Sequence, residues 1–231
     1  MLQSINKYKL YLYIFFFIFL TSIFNLNIFE HYQNKFNLKK ININGLNYNE
    51  KKIVMFELSN FKNSNIFNLS KEDVLGKLNK FNFLEKIYVQ KIMPSSININ
   101  LSKTPILGKT IINGVEYFIG KNGKLINSSE IFEINEAPQV FGEFEIEDFL
   151  NLNDFLNNHH LEVGNVKKYF FFKNKRWDLL FSHGLMLKLP SKKVDDALKI
   201  YNKLLNNDSL TNVKVVDLRI ANQIILTNNN E

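Results

Sequence analysis

The sequence predicts an α+β protein: an N-terminal transmembrane helix, a small β-α-α-β-β domain, and a mostly antiparallel β domain with flanking helices. Three observations predict it. A dense apolar block fills the N-terminus, alternating Ile-Asn strands flank two helices with capping signals, and the second half is a run of short strands divided by Gly and Pro turns. The expected organisation is a cytoplasmic tail over 1–7, the membrane helix over 8–29, a first domain over 36–103, a C-terminal β domain over 104–227 and a tail over 228–231.

The apolar block is Leu10-Tyr-Leu-Tyr-Ile-Phe-Phe-Phe-Ile-Phe-Leu20, followed by Thr21, Ser22, Ile23 and Phe24. About 20 mainly apolar residues cross the hydrocarbon layer. The window reaches that length with Asn25 and Asn27 at the far interface. Tyr11 and Tyr13 sit where a near-side aromatic belt belongs. A cleaved signal peptide needs a small-residue site, and Ile23-Phe-Asn-Leu-Asn-Ile-Phe29 offers none. A buried soluble helix would keep a polar face, which Tyr13 to Leu20 lacks. A retained anchor is the reading. Lys7, Lys9 and the terminal amine favour a tail held inside, while Lys35, Lys39 and Lys40 weaken that asymmetry, so charge alone leaves orientation open.

The net charge is +7, but no basic run exceeds two residues. That spread describes a solvated basic surface rather than a nucleic-acid footprint. There is no cysteine, which excludes disulfides, thiolate metal sites and cysteine nucleophiles.

Leu38-Lys-Lys-Ile-Asn-Ile-Asn44 alternates like a half-buried strand, and Gly45 ends it. Asn49 can cap a helix over 50–58 with Ile53, Val54 and Phe56 inward. Ser70-Lys-Glu-Asp73 resembles a capping box with Asp in place of Glu, opening a helix with the stripe Val74, Leu75 and Leu78. Ile87-Tyr-Val-Gln-Lys-Ile92 and Ile97-Asn-Ile-Asn-Leu101 follow as strands joined through Pro94. Helices then cover one face of a small sheet and leave the other face and an edge exposed. Ser102 to Thr104 is the expected join to the second domain.

That domain opens with a hairpin over 115–126, turning at Asn122-Gly123. Ile146, Phe149, Leu150, Leu152, Phe155 and Leu156 follow a helical period. Three strands come next, at Lys168–Phe172, Trp177–Phe181 and Leu185–Leu189. A helix from Ser191 or Lys192 turns Val194, Leu198, Tyr201 and Leu205 inward. Val213–Ile220 and Gln223–Thr227 are the final strands.

Catalytic constellations are not found. His159-His160 lies at a helix end, facing two directions, with no ligand at metal spacing. Glu143, Glu145, Glu147 and Asp148 form the acidic first turn of a helix rather than paired catalytic carboxylates. Lys167 to Trp177 mixes bases with aromatics, as single-strand nucleic-acid platforms do. A strand with buried Phe and solvated Lys explains it better. Phosphate loops and nucleophile elbows are absent. No enzyme, cofactor, metal or small-molecule substrate is expected.

Ile41-Asn-Ile-Asn-Gly45, Phe83-Leu-Glu-Lys86 and Lys91-Ile-Met-Pro94, in this order of elements, resemble a POTRA domain. Further on, Arg176-Trp-Asp-Leu179, His183-Gly-Leu185, Lys188-Leu-Pro190, the helix over 192–206 and Val216-Asp-Leu-Arg219 resemble the FtsQ/DivIB family of bacterial division proteins. The resemblance runs from the anchor to about Thr227. It implies a non-catalytic, bitopic inner-membrane protein of the divisome, N-terminus cytoplasmic and bulk periplasmic, that docks and recruits or regulates downstream partners at the septum. The family's partners are FtsB and FtsL, alongside the lipid bilayer reached through the anchor, and strand pairing at a sheet edge is its recognition mode.

Carried onto this chain, the partner-binding residues are Arg219, Gln223, Ile224, Ile225, Leu226 and Thr227. Arg219 pairs either with a partner carboxylate or with a local acid. The chain departs from the family in its much shorter tail and in Ile224, Ile225 and Leu226, where some members carry aromatics. A POTRA-bearing secretion or envelope-assembly factor would append a barrel, for which no room remains after Asn206. A membrane-anchored wall hydrolase would need the catalytic groups that are missing.

Overall fold

The computed structural model describes residues 7–22, 35–131, 136–161, 163–206, 210, 212–220 and 223–228. Contacts divide the chain into two compact units. The first takes Met1–Leu46, Lys51–Lys80 and Ile87–Leu101; the second takes Asn47–Glu50, Phe81–Lys86 and Ser102–Glu231.

The N-terminal helix α1 is Lys7–Ser22, with all its side chains exposed. Its 16 residues rise about 24 Å, against roughly 30 Å of hydrocarbon. Among the described residues no helix is long and apolar enough to cross a membrane. Residues 23–29 of the expected span lie outside the described residues, as do tail residues 1–6 and 229–231.

The small sheet has the order β1-β3-β2, from β1 (Lys40–Asn44), β2 (Leu84–Ile92) and β3 (Ser96–Lys103). The Ile-Asn alternation sets its register. Ile41 pairs with Ile97 and Ile43 with Ile99 on the buried face. The intervening asparagines bond to one another on the other face, Asn42 Nδ2 to Asn98 Oδ1 at 2.6 Å and Asn44 Nδ2 to Asn100 Oδ1 at 2.9 Å. In the parallel β1–β3 register, like positions stand opposite each other. Gly45 leaves β1 at φ +91°, where an added Cβ would stand 1.8 Å from the Leu101 carbonyl oxygen.

Helix α2 runs Tyr48–Leu58, two residues longer at its start than expected. Asn47, not Asn49, caps it. Its Oδ1 accepts from the Glu50 amide at 2.9 Å while the Asn47 amide donates to Glu50 Oε2 at 3.2 Å. Glu50, Val54 and Leu58 are the buried stripe, so Phe56, expected inside, instead points to solvent with Ile53. The reason is period: positions four apart share a face, and Phe56 lies half a turn from that stripe. Helix α3 (Lys71–Leu78) starts at the capping box the sequence signals, Ser70 and Asp73 bonding reciprocally, with Val74 and Leu78 buried.

β3 continues to Lys103 and β4 (Ile106–Ile112) begins two residues on, with Thr104 buried between them. Of the expected join, Ser102 and Lys103 are exposed at the end of β3 and Thr104 is buried. Strand β4 itself, and β7 (Gln139–Phe141), escape the sequence reading. β5 (Val115–Gly120) and β6 (Leu125–Asn127) form the hairpin expected around Asn122-Gly123.

The large sheet has the order β12-β11-β10-β9-β8-β7-β4-β5-β6. Its later strands are β8 (Val166–Phe172), β9 (Arg176–Phe181), β10 (Met186–Lys188), β11 (Val213–Asp217) and β12 (Ile225–Asn228). Helices α4 (Ile146–Asn158) and α5 (Val194–Asn206) provide the crossovers β7-α4-β8 and β10-α5-β11. Those connections make both strand pairs parallel, as does β4 beside β7, while the other described pairings are antiparallel.

Register aligns Val140, Tyr169, Leu179, Leu187 and Val216 in one row across five strands. That row shares a core with Phe149, Leu152 and Leu156 of α4 and Ala197, Leu198 and Tyr201 of α5. Phe149 stands edge-on to Tyr169 at 5.1 Å and 5.8 Å from Trp177. Leu205, expected inward, and Phe155 are exposed instead. Of the four acidic residues expected in the first turn of α4, Glu147 and Asp148 lie there, Glu145 takes the cap position and Glu143 stands before the helix.

Candidate partner-binding edge

β12 is the last strand of the large sheet, paired on one side only among the described residues. Register sets Asp217 opposite Ile225, Val216 opposite Leu226 and Val215 opposite Thr227. The pairing starts two residues later than Gln223, so Gln223 and Ile224 belong to the approach rather than to the strand; the Gln223 amide donates to the Ile220 carbonyl at 3.2 Å. Ile224, Ile225 and Leu226 are 44%, 46% and 41% exposed, and Thr227 is half-buried. An edge strand normally protects itself with charge or proline. Here three successive aliphatic side chains are left open instead.

Arg219 lies just beyond β11. Its Nε donates to both Asp217 carboxylate oxygens at 2.8 Å, and its terminal nitrogen pairs with the same group. The Arg219 backbone amide adds a bond to Asp217 Oδ1 at 3.0 Å. Of the two roles open to Arg219 in the sequence, the local ion pair is thus present. Its signal was visible: residues two apart on an extended chain face the same way. The Arg219 bond holds the Asp217 carboxyl below the usual carboxylate range, and the same pair raises the guanidinium.

The same register row continues inward. Asp217 faces Lys188, and Lys188 faces Asp178. Asp178 is buried, and that burial pushes its carboxyl up, against the lowering effect of Arg176, Lys188 and Arg219. Arg176 Nε stands 3.4 Å from Asp178 Oδ1, in a geometry that makes no hydrogen bond. The Arg176 guanidinium lies over the Phe172 ring, 4.2 Å from its centroid. Alternating charge therefore runs across β9, β10 and β11 to the base of β12.

Elsewhere, His159 Nε2 meets Asp195 at 2.7 Å, an acid 36 residues on that sequence spacing does not reveal. The two helices meet there again, Asn202 Nδ2 donating to the His159 carbonyl at 2.8 Å. Among the described residues no cluster of three His, Cys, Asp or Glu side chains has the geometry to hold a metal. In the aromatic stretch from Lys167, Tyr169 and Trp177 are buried and Lys167 is exposed.

Two family models match this chain: the FtsQ-type POTRA domain over residues 36–103, and the C-terminal region of cell division protein FtsQ/DivIB over 111–219. The cell division protein FtsQ of Rickettsia typhi is 27% identical over 200 residues, covering 81% of this chain and 71% of that protein. The cell division protein DivIB of Staphylococcus aureus is 24% identical over 102 residues, covering 44% of this chain and 23% of its own length. The solved major extracytoplasmic domain of DivIB from Geobacillus stearothermophilus aligns over 48% of this chain and 98% of that domain. Its identity is 13% and its TM-score 0.31, too low to bear on the fold. The α+β architecture and the matched regions define a cell-division protein built from a POTRA domain and a larger β domain. The chain belongs to the FtsQ/DivIB family.

Proposed function

We propose that this chain is a non-catalytic, membrane-anchored divisome protein that captures downstream partners by strand addition to β12. The observation that carries the reading is the open edge itself, with Ile225 and Leu226 on the last paired strand and Ile224 just before it exposed together. An incoming strand would satisfy the outer backbone groups and cover the aliphatic row. The partners proposed are divisome proteins of the FtsB and FtsL type, to which the family resemblance points. Arg219 keeps N–H groups beyond those given to Asp217, and these would take a partner carboxylate beside the added strand.

Anchoring is part of the same proposal. The apolar segment over 8–29, which takes in most of α1, would hold the chain in the inner membrane with its tail inside and its bulk in the periplasm. Confinement to the membrane raises the effective concentration of partners anchored beside it.

The test is pull-down of FtsB–FtsL-type partners by the full chain in detergent, with circular dichroism as the folding control. Ile225→Pro removes a backbone donor and adds a steric block, so capture is expected to fall at least about tenfold. Ile225→Lys is expected to weaken capture while the domain stays folded. Undiminished capture by folded Ile225→Pro would move the binding surface away from this edge.

A further inference from the structure

The outer ridge of α2 carries Tyr48, Lys52 and Phe56, at positions i, i+4 and i+8 opposite the buried stripe Glu50, Val54 and Leu58. Tyr48 and Phe56 are each 80% exposed, more than any other described aromatic residue outside α1. Lys51 flanks the ridge. Neither Lys51 nor Lys52 has a carboxylate partner among the described residues: Glu50 turns inward to Lys103 at 3.0 Å, and Glu57 pairs with Lys77 and Lys80. The ridge therefore offers two aromatic rings and two unpaired ammonium groups together.

From this face we infer that α2 lies on the surface of the bilayer that holds the anchor, its rings at headgroup level and its lysines on anionic phosphates. Aromatic rings buried at the headgroup boundary and lysines beside them on anionic lipid are the pattern of a helix that lies on a membrane surface. The tether fits. Only residues 23–47 separate the end of α1 from the start of α2, and Lys39 and Lys40 between them add positive charge on the same stretch. A groove for a protein segment would supply walls; a convex ridge of this kind presents rings to a plane. The inference rests on the anchor proposed above and is independent of the β12 edge.

The chain has no cysteine, so single-cysteine labelling is clean. Asn49→Cys, exposed beside the ridge, carries an environment-sensitive fluorophore in the full chain reconstituted into anionic nanodiscs. Lys71→Cys, exposed at the start of α3, is the control. Quenching by lipid spin-labelled near the headgroup is expected to be about threefold stronger at position 49 than at 71. Adding Tyr48→Ser and Phe56→Ser is expected to bring position 49 down to the control, with the circular dichroism spectrum unchanged. Exchanging anionic for zwitterionic lipid, or raising salt to about 1 M, is expected to weaken the quenching.

Equal quenching at 49 and 71, or quenching that survives the double substitution, overturns the inference and gives the ridge to a protein partner. Carbonate extraction separates this from the anchor. Release of the chain from the discs defeats the anchor reading, whereas a retained chain with an unquenched position 49 defeats the docking of α2 alone.

Discussion

At the scale of single residues, the pair Asp217–Arg219 ties the end of β11 to the residues that leave it. It is two residues apart, part-buried and bonded through both side chain and backbone. A carboxylate whose pKa is lowered by folding contributes stability above its unfolded value, and loses it as pH falls through the lowered folded value. Asp217→Asn is therefore expected to cost about 1–2 kcal/mol at neutral pH, given partial exposure of the guanidinium. The difference from the parent chain is expected to shrink as pH falls below the unfolded carboxylate value, about 3.9, and to vanish only below the lowered folded one. Urea titrations across that range read it directly; a difference that does not vary with pH would mean the pair is not what stabilises this turn.

At the scale of elements, the small sheet depends on close backbone approach where β1 ends. Gly45 at φ +91° leaves no space for a Cβ against the Leu101 carbonyl. Gly45→Ala is expected to destabilise by about 2–4 kcal/mol, through a disfavoured φ and a displaced β3 together. Gly76, in the interior of α3, has open space where a methyl group would stand, with nothing within 4 Å. Gly76→Ala is expected to stabilise by about 0.5–1 kcal/mol through helix propensity. Thermal melts of the two variants should move in opposite directions. Gly45→Ala melting no lower than the parent chain, or Gly76→Ala melting no higher, would overturn the account given for that position.

At the scale of the whole molecule, we propose the division into 36–103 and 104–227. Leu38, Ile41, Ile43, Val54, Leu58, Val74, Leu78, Ile97 and Ile99 are buried and lie outside the core cluster of the large sheet. An excised 36–103 fragment is expected to fold, with dispersed amide resonances and a cooperative melt. Collapse of those resonances would mean that the segments Asn47–Glu50 and Phe81–Lys86, which group with the second unit, cannot be detached from it. The large sheet has its own requirement. Truncating Phe149, packed among Phe144, Tyr169 and Trp177, would open a cavity between α4 and the central strands.

The sequence by itself determined the elements whose signals are local. Period-two Ile-Asn runs specified β1 and β3, Ser70 and Asp73 specified the start of α3, and Asn122-Gly123 specified the β5–β6 turn. The order of motifs also pointed to the family that the matched regions show. Four things needed the tertiary structure. β7 is only three residues long and β4 lacks clean alternation, so neighbouring strands define them. The inward face of α2 followed Glu50 rather than Phe56, because a capping glutamate with a lysine partner can be buried at the position a hydrophobic scale would reject. His159 and Asp195 meet only because two crossover helices pack on one face of the sheet. Last, Ile224, Ile225 and Leu226 are all exposed, although strict alternation would turn Ile224 and Leu226 to one face and Ile225 to the other. Periodicity tells which side chains of a strand share a face, but only the stacking of layers decides whether anything covers that face.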